Sequence, residues 1–308
     1  MHSAMSFDFG NFLKINKQKK RECTPVDLRG PKLGAVFNQG NLGWCFAYTT
    51  ADLISYRIGQ KVSAVDLGIN FYQKMPEMPR NDLLSVSSGG NDMGAMSFAK
   101  NEYCSENELP SDNFVIPKEC LTSNQNIDAS GIFKIIEGIH DRNATSLSSC
   151  EVKIISALFR NTSADFIETT MLERSMSSFE KIIQLKEKNC TDKKIINKLK
   201  MRSGMRSGAD SLIDVDEQLN KSNPVSLNYN AYFLLKNSSS NEIANHYSSI
   251  VGRRHSSENN TCQYLIRNSW GADCSIYPAP YNEQCEEGNI WVDEDVLGDA
   301  ILGIQFIK

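Results

Sequence analysis

Apolar residues recur at helical spacing through the first two thirds of the chain and alternate with polar ones through much of the last third. Between positions 45 and 58, Phe46, Ala47, Ala51, Leu53, Ile54 and Ile58 fall on helix-compatible positions, and Gly59 follows where a C-terminal cap belongs. Ser63 is placed to cap a second helix entered through Val65 and Leu67, and residues 93–99 can continue as a third. Helical patterns return at 152–159, 164–172 and 179–200. The last is rich in lysine and sets Ile182, Ile183, Ile195, Ile196 and Leu199 on its apolar positions. The doubled Arg-Ser-Gly of 202–208 reads as a flexible loop, and 213–220 as a short helix. From 224 to 229 the pattern alternates as a strand does, and strand signals recur at 247–251, 264–267, 289–292 and 302–307. Helices first and strands last predict an α+β fold.

The candidate chemistry sits at the start of the first helix. Asn38-Gln39-Gly40-Asn41-Leu42-Gly43-Trp44 is a polar, glycine-rich loop that runs into Cys45. Free amide N–H groups and the helix dipole stabilise negative charge at a helix N-terminus, which favours the nucleophilic thiolate. Gln39 lies six positions upstream and offers an amide that could donate to an oxyanion forming beside the sulfur. A lone cysteine at a helix start is more often structural, so the reading depends on partners. Of four histidines, His2 lies in the terminal arm, His140 in a helical region and His255 in a polar loop, whereas His246 opens an apolar strand.

Composition narrows the class. The chain has 308 residues, 40% hydrophobic and 23% charged, which suits a folded globular protein. A net charge of −4 gives no reason to expect nucleic acid, and no apolar run is long enough for a membrane span. Setting Cys45 aside leaves eight of nine cysteines, an even number that predicts disulfides and an extracellular, periplasmic or other oxidising compartment. No signal segment is visible. Proximity in sequence suggests the pairs Cys274–Cys285, Cys104–Cys120 and Cys150–Cys190, with Cys23 and Cys262 left to each other. Asn-x-Ser/Thr sequons, among them those at Asn143, Asn161, Asn189, Asn237 and Asn259, permit glycosylation or arise by chance in an Asn- and Ser-rich chain.

The segment around Cys45 resembles the active-site stretch of the papain family of cysteine peptidases in its Gln39–Gly40 pair, Gly43, Gln-to-Cys spacing and following aromatic. Asn245-His246 with Gly252, and Asn268-Ser269-Trp270-Gly271, match the family's other two motifs, and Thr24–Arg29 is similar to the start of its mature domain. The resemblance implies a nucleophile Cys45, a partner His246, an orienting Asn268 and an oxyanion donor Gln39, working as a thiolate–imidazolium pair without metal or cofactor. It also implies that Gly89, Gly90 and Asn91 pair with an extended peptide in a cleft, with Trp270 alongside. Three departures stand out. Leu42 replaces a cysteine common in the family, Trp44 replaces a small residue, and Phe46 replaces a tryptophan. The 272–287 loop also differs, which leaves specificity open.

The resemblance covers about 24–104 and 211–308 and implies a papain-like two-lobe fold: a helical lobe (24–104), a β-rich lobe (211–308) and a mainly helical insertion (105–210), after a solvated arm (1–23). Residues 150–200 are expected to pack on the β-rich lobe or as a helical appendage. Implied partners are a protein or peptide substrate, and a proteinaceous inhibitor or propeptide. Two alternatives remain: an acyl transferase or amidase on the same fold, and a catalytically inactive peptide-binding protein.

Overall fold

A computed structural model describes residues 23–75, 90–99, 102–121, 127–193, 199–236 and 244–308. The 1–22 part of the arm and Gly89 lie outside the described residues. Three helices come first: α1 (Cys45–Ile58), α2 (Ala64–Lys74) and α3 (Asp92–Ala99). Ser63 caps α2 by accepting from Asp66 N, as its position predicts. Then come α4 (Ala129–Asp141), α5 (Ser149–Leu158), α6 (Ala164–Leu172) and α7 (Ser178–Asn189). Reciprocal capping boxes at Ser148/Glu151 and Ser177/Glu180 start α5 and α7. The helix foreseen over 179–200 ends at Asn189, because Cys190 leaves the helix and is bonded to Cys104. The pattern reading passed over α4, although Ile132, Phe133, Ile136 and Ile139 lie on its buried face.

The sheet is antiparallel throughout. Its strands are β1 (Val26–Asp27), β2 (Met201–Ser203), β3 (Val225–Asn230), β4 (Asn245–Ser256), β5 (Thr261–Arg267), β6 (Cys285–Glu286), β7 (Asn289–Asp293) and β8 (Ile301–Ile307), in the order β2-β8-β3-β4-β5-β7-β6 with β1 on β4. The foreseen flexible loop at 202–208 is therefore corrected at its start, where β2 adds an edge to β8. Helices α8 (Ser211–Leu219) and α9 (Glu294–Ala300) flank the sheet. A bulge lies between Ile250 and Gly252 on β4, and there the Val251 carbonyl accepts from Leu28 N at 2.8 Å.

Two hydrophobic clusters form. One joins α1 and α2 to α4–α7; the other is built on the sheet and α8. The described residues between 150 and 200 therefore join the core of the first helices, which corrects the expectation of a β-lobe contact or a separate appendage. The apolar stripes of α4, α5 and α7 lie in the same cluster as α1 and α2, and Trp44 lies 5.6 Å from Phe133 of α4 between ring centroids. A buried ion pair crosses from α1 to the sheet. Arg267 Nε donates to Asp52 at 3.0 Å, and its terminal nitrogens donate to the carbonyls of Leu33, Gly34 and Ala35.

The 105–210 segment is also held by polar groups. Lys186 on α7 reaches α2, with Nζ 2.6 Å from Asn70 Oδ1 and 3.5 Å from Asp66, all three side chains buried. Removing the ammonium would leave the Asp66 carboxylate buried beside no cation. Lys186→Ala is expected to cost about 3–5 kcal/mol in urea denaturation, and the pair Lys186→Met with Asp66→Asn to recover much of that loss.

Candidate active site

Cys45 is the first residue of α1 and the free cysteine among the described residues. The residue before it, Trp44, is fully buried against Tyr72 and Phe133. Room for so large a side chain comes from Gly68 on α2, where a Cβ would stand 2.2 Å from the indole ring. A glycine one helix away thus accommodates the unexpected tryptophan. Phe46 packs on Phe71 at 4.7 Å and also fills the space beside Gly90.

The loop before α1 is laced to the residues after β5. Gln39 N donates to Ser269 O at 2.8 Å and Gly271 N to Phe37 O at 3.0 Å, so the two segments pair briefly as antiparallel backbone. The Gln39 side chain is buried and held at both ends: Oε1 accepts from Ser269 Oγ, and Nε2 donates to Leu42 O at 2.7 Å. One Nε2 hydrogen remains uncommitted to that bond.

His246 lies near the start of β4, opposite Tyr229 of β3. Its Nε2 is 2.8 Å from Asn268 Oδ1, so Nε2 carries the proton and Nδ1 keeps a lone pair. Ser248 Oγ and Ser269 N also donate to Asn268 Oδ1, and Asn268 Nδ2 donates to Tyr277 OH at 3.1 Å. Trp270 lies 4.8 Å from the imidazole and stacks on Tyr277 at 6.0 Å between centroids. Ser248, Tyr277 and Tyr229, whose hydroxyl meets Ser248 Oγ, were missed from sequence. Strand alternation places Ser248 on the face of His246 and was a usable signal; Tyr277 lies in an irregular loop and gave none.

The backbone N–H of Tyr247 donates to the Cys45 sulfur, which brings the thiol beside the strand that carries His246. Burial pushes the thiol up to about 11, against the lowering effect of the Tyr247, Phe46 and Cys45 amides. Burial likewise pushes His246 down to about 4, with the Asn268 bond pulling the other way. Each group by itself therefore rests neutral at pH 7. Desolvation thus works against the amides of the helix terminus at the thiol.

Asn91 is exposed, and its Oδ1 accepts from Gly94 N at 2.7 Å, so its side chain caps α3. Behind it, Asp92 is fully buried, accepts from Ser226 Oγ and Met93 N, and when ionised pushes the Cys45 thiol up further. A groove of about 430 Å³ lies elsewhere, lined by Arg57, Arg202, Lys221 and Phe306 among others, and holds none of these residues.

The disulfides are Cys23–Cys262, Cys104–Cys190, Cys120–Cys150 and Cys274–Cys285. Two of the four expected pairs form, and the other two exchange partners. The fold brings Cys104 of the first helical region to the end of α7, so spatial packing overrides sequence proximity. Asp66, Cys104 and Cys190 cluster closely enough to suggest metal ligands, but both sulfurs are bonded to each other.

No family model and no curated relative matches the sequence. Among solved structures, the chain is similar to digestive procathepsin L 3 of Tenebrio molitor larval midgut at 13% identity, covering 94% of this chain and 71% of that one with a TM-score of 0.44. It is similar to the proform of the ragweed pollen allergen Amb a 11, a cysteine protease, at 13% identity, 95% and 67% coverage and a TM-score of 0.47. It also matches a structure from work on the mite allergens Blo t 1 and Der p 1 at 14% identity, 96% and 73% coverage and a TM-score of 0.47.

Asp92 titrates at about 6 in the fold against an ordinary 3.8, chiefly through burial. The folded chain then holds this proton more tightly than the unfolded one. The stabilisation is complete below the ordinary value and is lost as pH rises through about 6. Between pH 5 and pH 8, the native protein is expected to lose about 1 kcal/mol relative to Asp92→Asn, read by urea denaturation at both pH values.

Proposed function

We propose that this chain is a cysteine peptidase that cleaves peptide bonds through a covalent thioester on Cys45. The observation that carries the reading is the His246–Asn268 bond of 2.8 Å on β4, one residue from the amide that contacts the Cys45 sulfur. Asn268 holds Nε2–H, so Nδ1 is the imidazole atom left to accept the thiol proton.

The neutral resting groups define the order of events. As sulfur attacks the scissile carbonyl, its proton passes to His246 Nδ1, and the thiolate–imidazolium pair exists because each charge stabilises the other. The carbonyl oxygen takes up the electron pair of the broken π bond, with Gln39 Nε2 and the Cys45 N–H as donors. Collapse expels the amine, which takes the proton from His246. Water then adds to the thioester with His246 as base, releasing the acid and restoring the thiol. Trp270 shields the His246–Asn268 bond from water. Gly89, Gly90 and Asn91 are the proposed backbone contacts for an extended peptide substrate, inhibitor or propeptide. The four disulfides fit an oxidising compartment. No described helix is long and apolar enough to cross a membrane.

Sub-stoichiometric alkylation with peptide mapping is expected to label Cys45 first, and Cys45→Ala to abolish turnover of a denatured protein substrate. Gln39→Ala is expected to lower the rate about 10²-fold. Product masses separate hydrolysis from acyl transfer, since only the latter joins an amine to the new carboxyl end. An active Cys45→Ala variant would overturn the reading.

A further inference from the structure

The loop carrying Gln39 has every amide from 38 to 42 assigned to an acceptor. Asn38 N donates to Asp112 Oδ2 at 3.0 Å, Gln39 N to Ser269 O, and Gly40 N to Asn38 Oδ1. Asn41 N donates to Asp128 Oδ2 at 3.1 Å, and Leu42 N to Gln39 O at 3.2 Å. Two of these acceptors are carboxylates from the 105–210 segment. Asp128 also caps α4, with Oδ1 accepting from Gly131 N at 2.7 Å. The same helix meets the far end of the loop, where Phe133 packs on Trp44. Gly40 has φ +56°, and a Cβ there would stand 1.8 Å from Asp128 Oδ2, so a side chain at position 40 would displace the carboxylate.

We propose that Asp128, assisted by Asp112, is a positioning residue for the oxyanion donor: the 105–210 segment holds the Gln39 loop in place from outside the site. The proposal rests on the peptidase reading and gives the segment a part in it. Donors in an oxyanion site act only when held within a fraction of an ångström of the developing charge. The bonds made by Gln39 itself leave the neighbouring amides of Asn38 and Asn41 to other acceptors. Those two amides are the ones the carboxylates take.

The test uses two reagents that differ in their need for the oxyanion donors. A peptide aldehyde adds the Cys45 thiol across its C=O: an S–C bond forms, and the carbonyl oxygen becomes the hemithioacetal oxygen, ending with the thiol proton. Iodoacetamide only alkylates the sulfur: an S–C bond forms to its carbamoylmethyl group as the C–I bond breaks, iodide leaves, and the thiol proton passes to a base or solvent. Asp128→Asn keeps an oxygen for Gly131 N but replaces the other with an NH₂ that cannot accept from Asn41. Aldehyde affinity and kcat are expected to fall about tenfold, with the iodoacetamide rate within about twofold and KM little changed. If this variant fails to fold by near-ultraviolet circular dichroism, Asp112→Asn is read in the same way. Unchanged aldehyde affinity in a folded variant, or equal losses with both reagents, would overturn the positioning role. A native protein whose Cys45 reacts with iodoacetamide but which, before alkylation, binds no peptide aldehyde would instead overturn the peptidase reading, and this proposal with it.

Discussion

The buried pair between Arg267 and Asp52 is the contact on which the candidate site depends. It fastens the third turn of α1 to the last residue of β5, immediately before Asn268. The same guanidinium gathers the carbonyls of residues 33–35, which lead into the Gln39 loop. One side chain thereby relates the helix carrying Cys45, the strand leading to Asn268 and the loop carrying Gln39. A buried cation of this kind contributes through its full set of acceptors; with any of them absent, desolvation would dominate. It fixes geometry more than it adds stability.

Packing and polar contacts then divide the work. Large aromatic rings set the depth of the loop before α1, with Trp44 lodged over Gly68 and Phe46 against Gly90. Hydrogen bonds set its direction, through the short pairing with Ser269 and Gly271. Around Asn268, four polar neighbours fix the side-chain amide, so the imidazole meets an acceptor that has little freedom to turn. Burial of the same region opposes charge on both the Cys45 thiol and the His246 imidazole.

Much of this was legible because the relevant signals are local. A glycine-rich loop running into a periodic stretch marks a helix start, and Cys45 lies on it. The alternation after His246 marks a strand. Asn268 and Trp270 were placed by motif, and the fold brings Asn268 and Trp270 to His246. What escaped depends on long-range packing. Arg267 and Asp52 read as ordinary charged residues until a helix and a strand meet. Cys104 pairs with Cys190 across 86 positions, which proximity along the chain cannot suggest. The helix α4 was passed over although its spacing was regular, and with it went Asp128. Gly89 lies beyond the described residues, and Asn91 turns its side chain to a helix cap.

The bulge on β4 sets the parity of the whole site. Below it, Arg253 and His255 pair with Tyr264 and Cys262; above it, Ser249 pairs with Arg267 and Ile250 with Ile266. The one residue β4 has in excess, Val251, shifts by one place which β5 residue stands opposite each β4 residue. Ladder pairing between the two strands stops at Ser249, three positions past His246, so Asn268 leaves the ladder and offers its side chain where a backbone partner would have been. The bulge thus sets which β5 residue, and so which side-chain amide, arrives beside the part of β4 that β3 holds in an unbroken ladder of its own from Asn245 to Ile250.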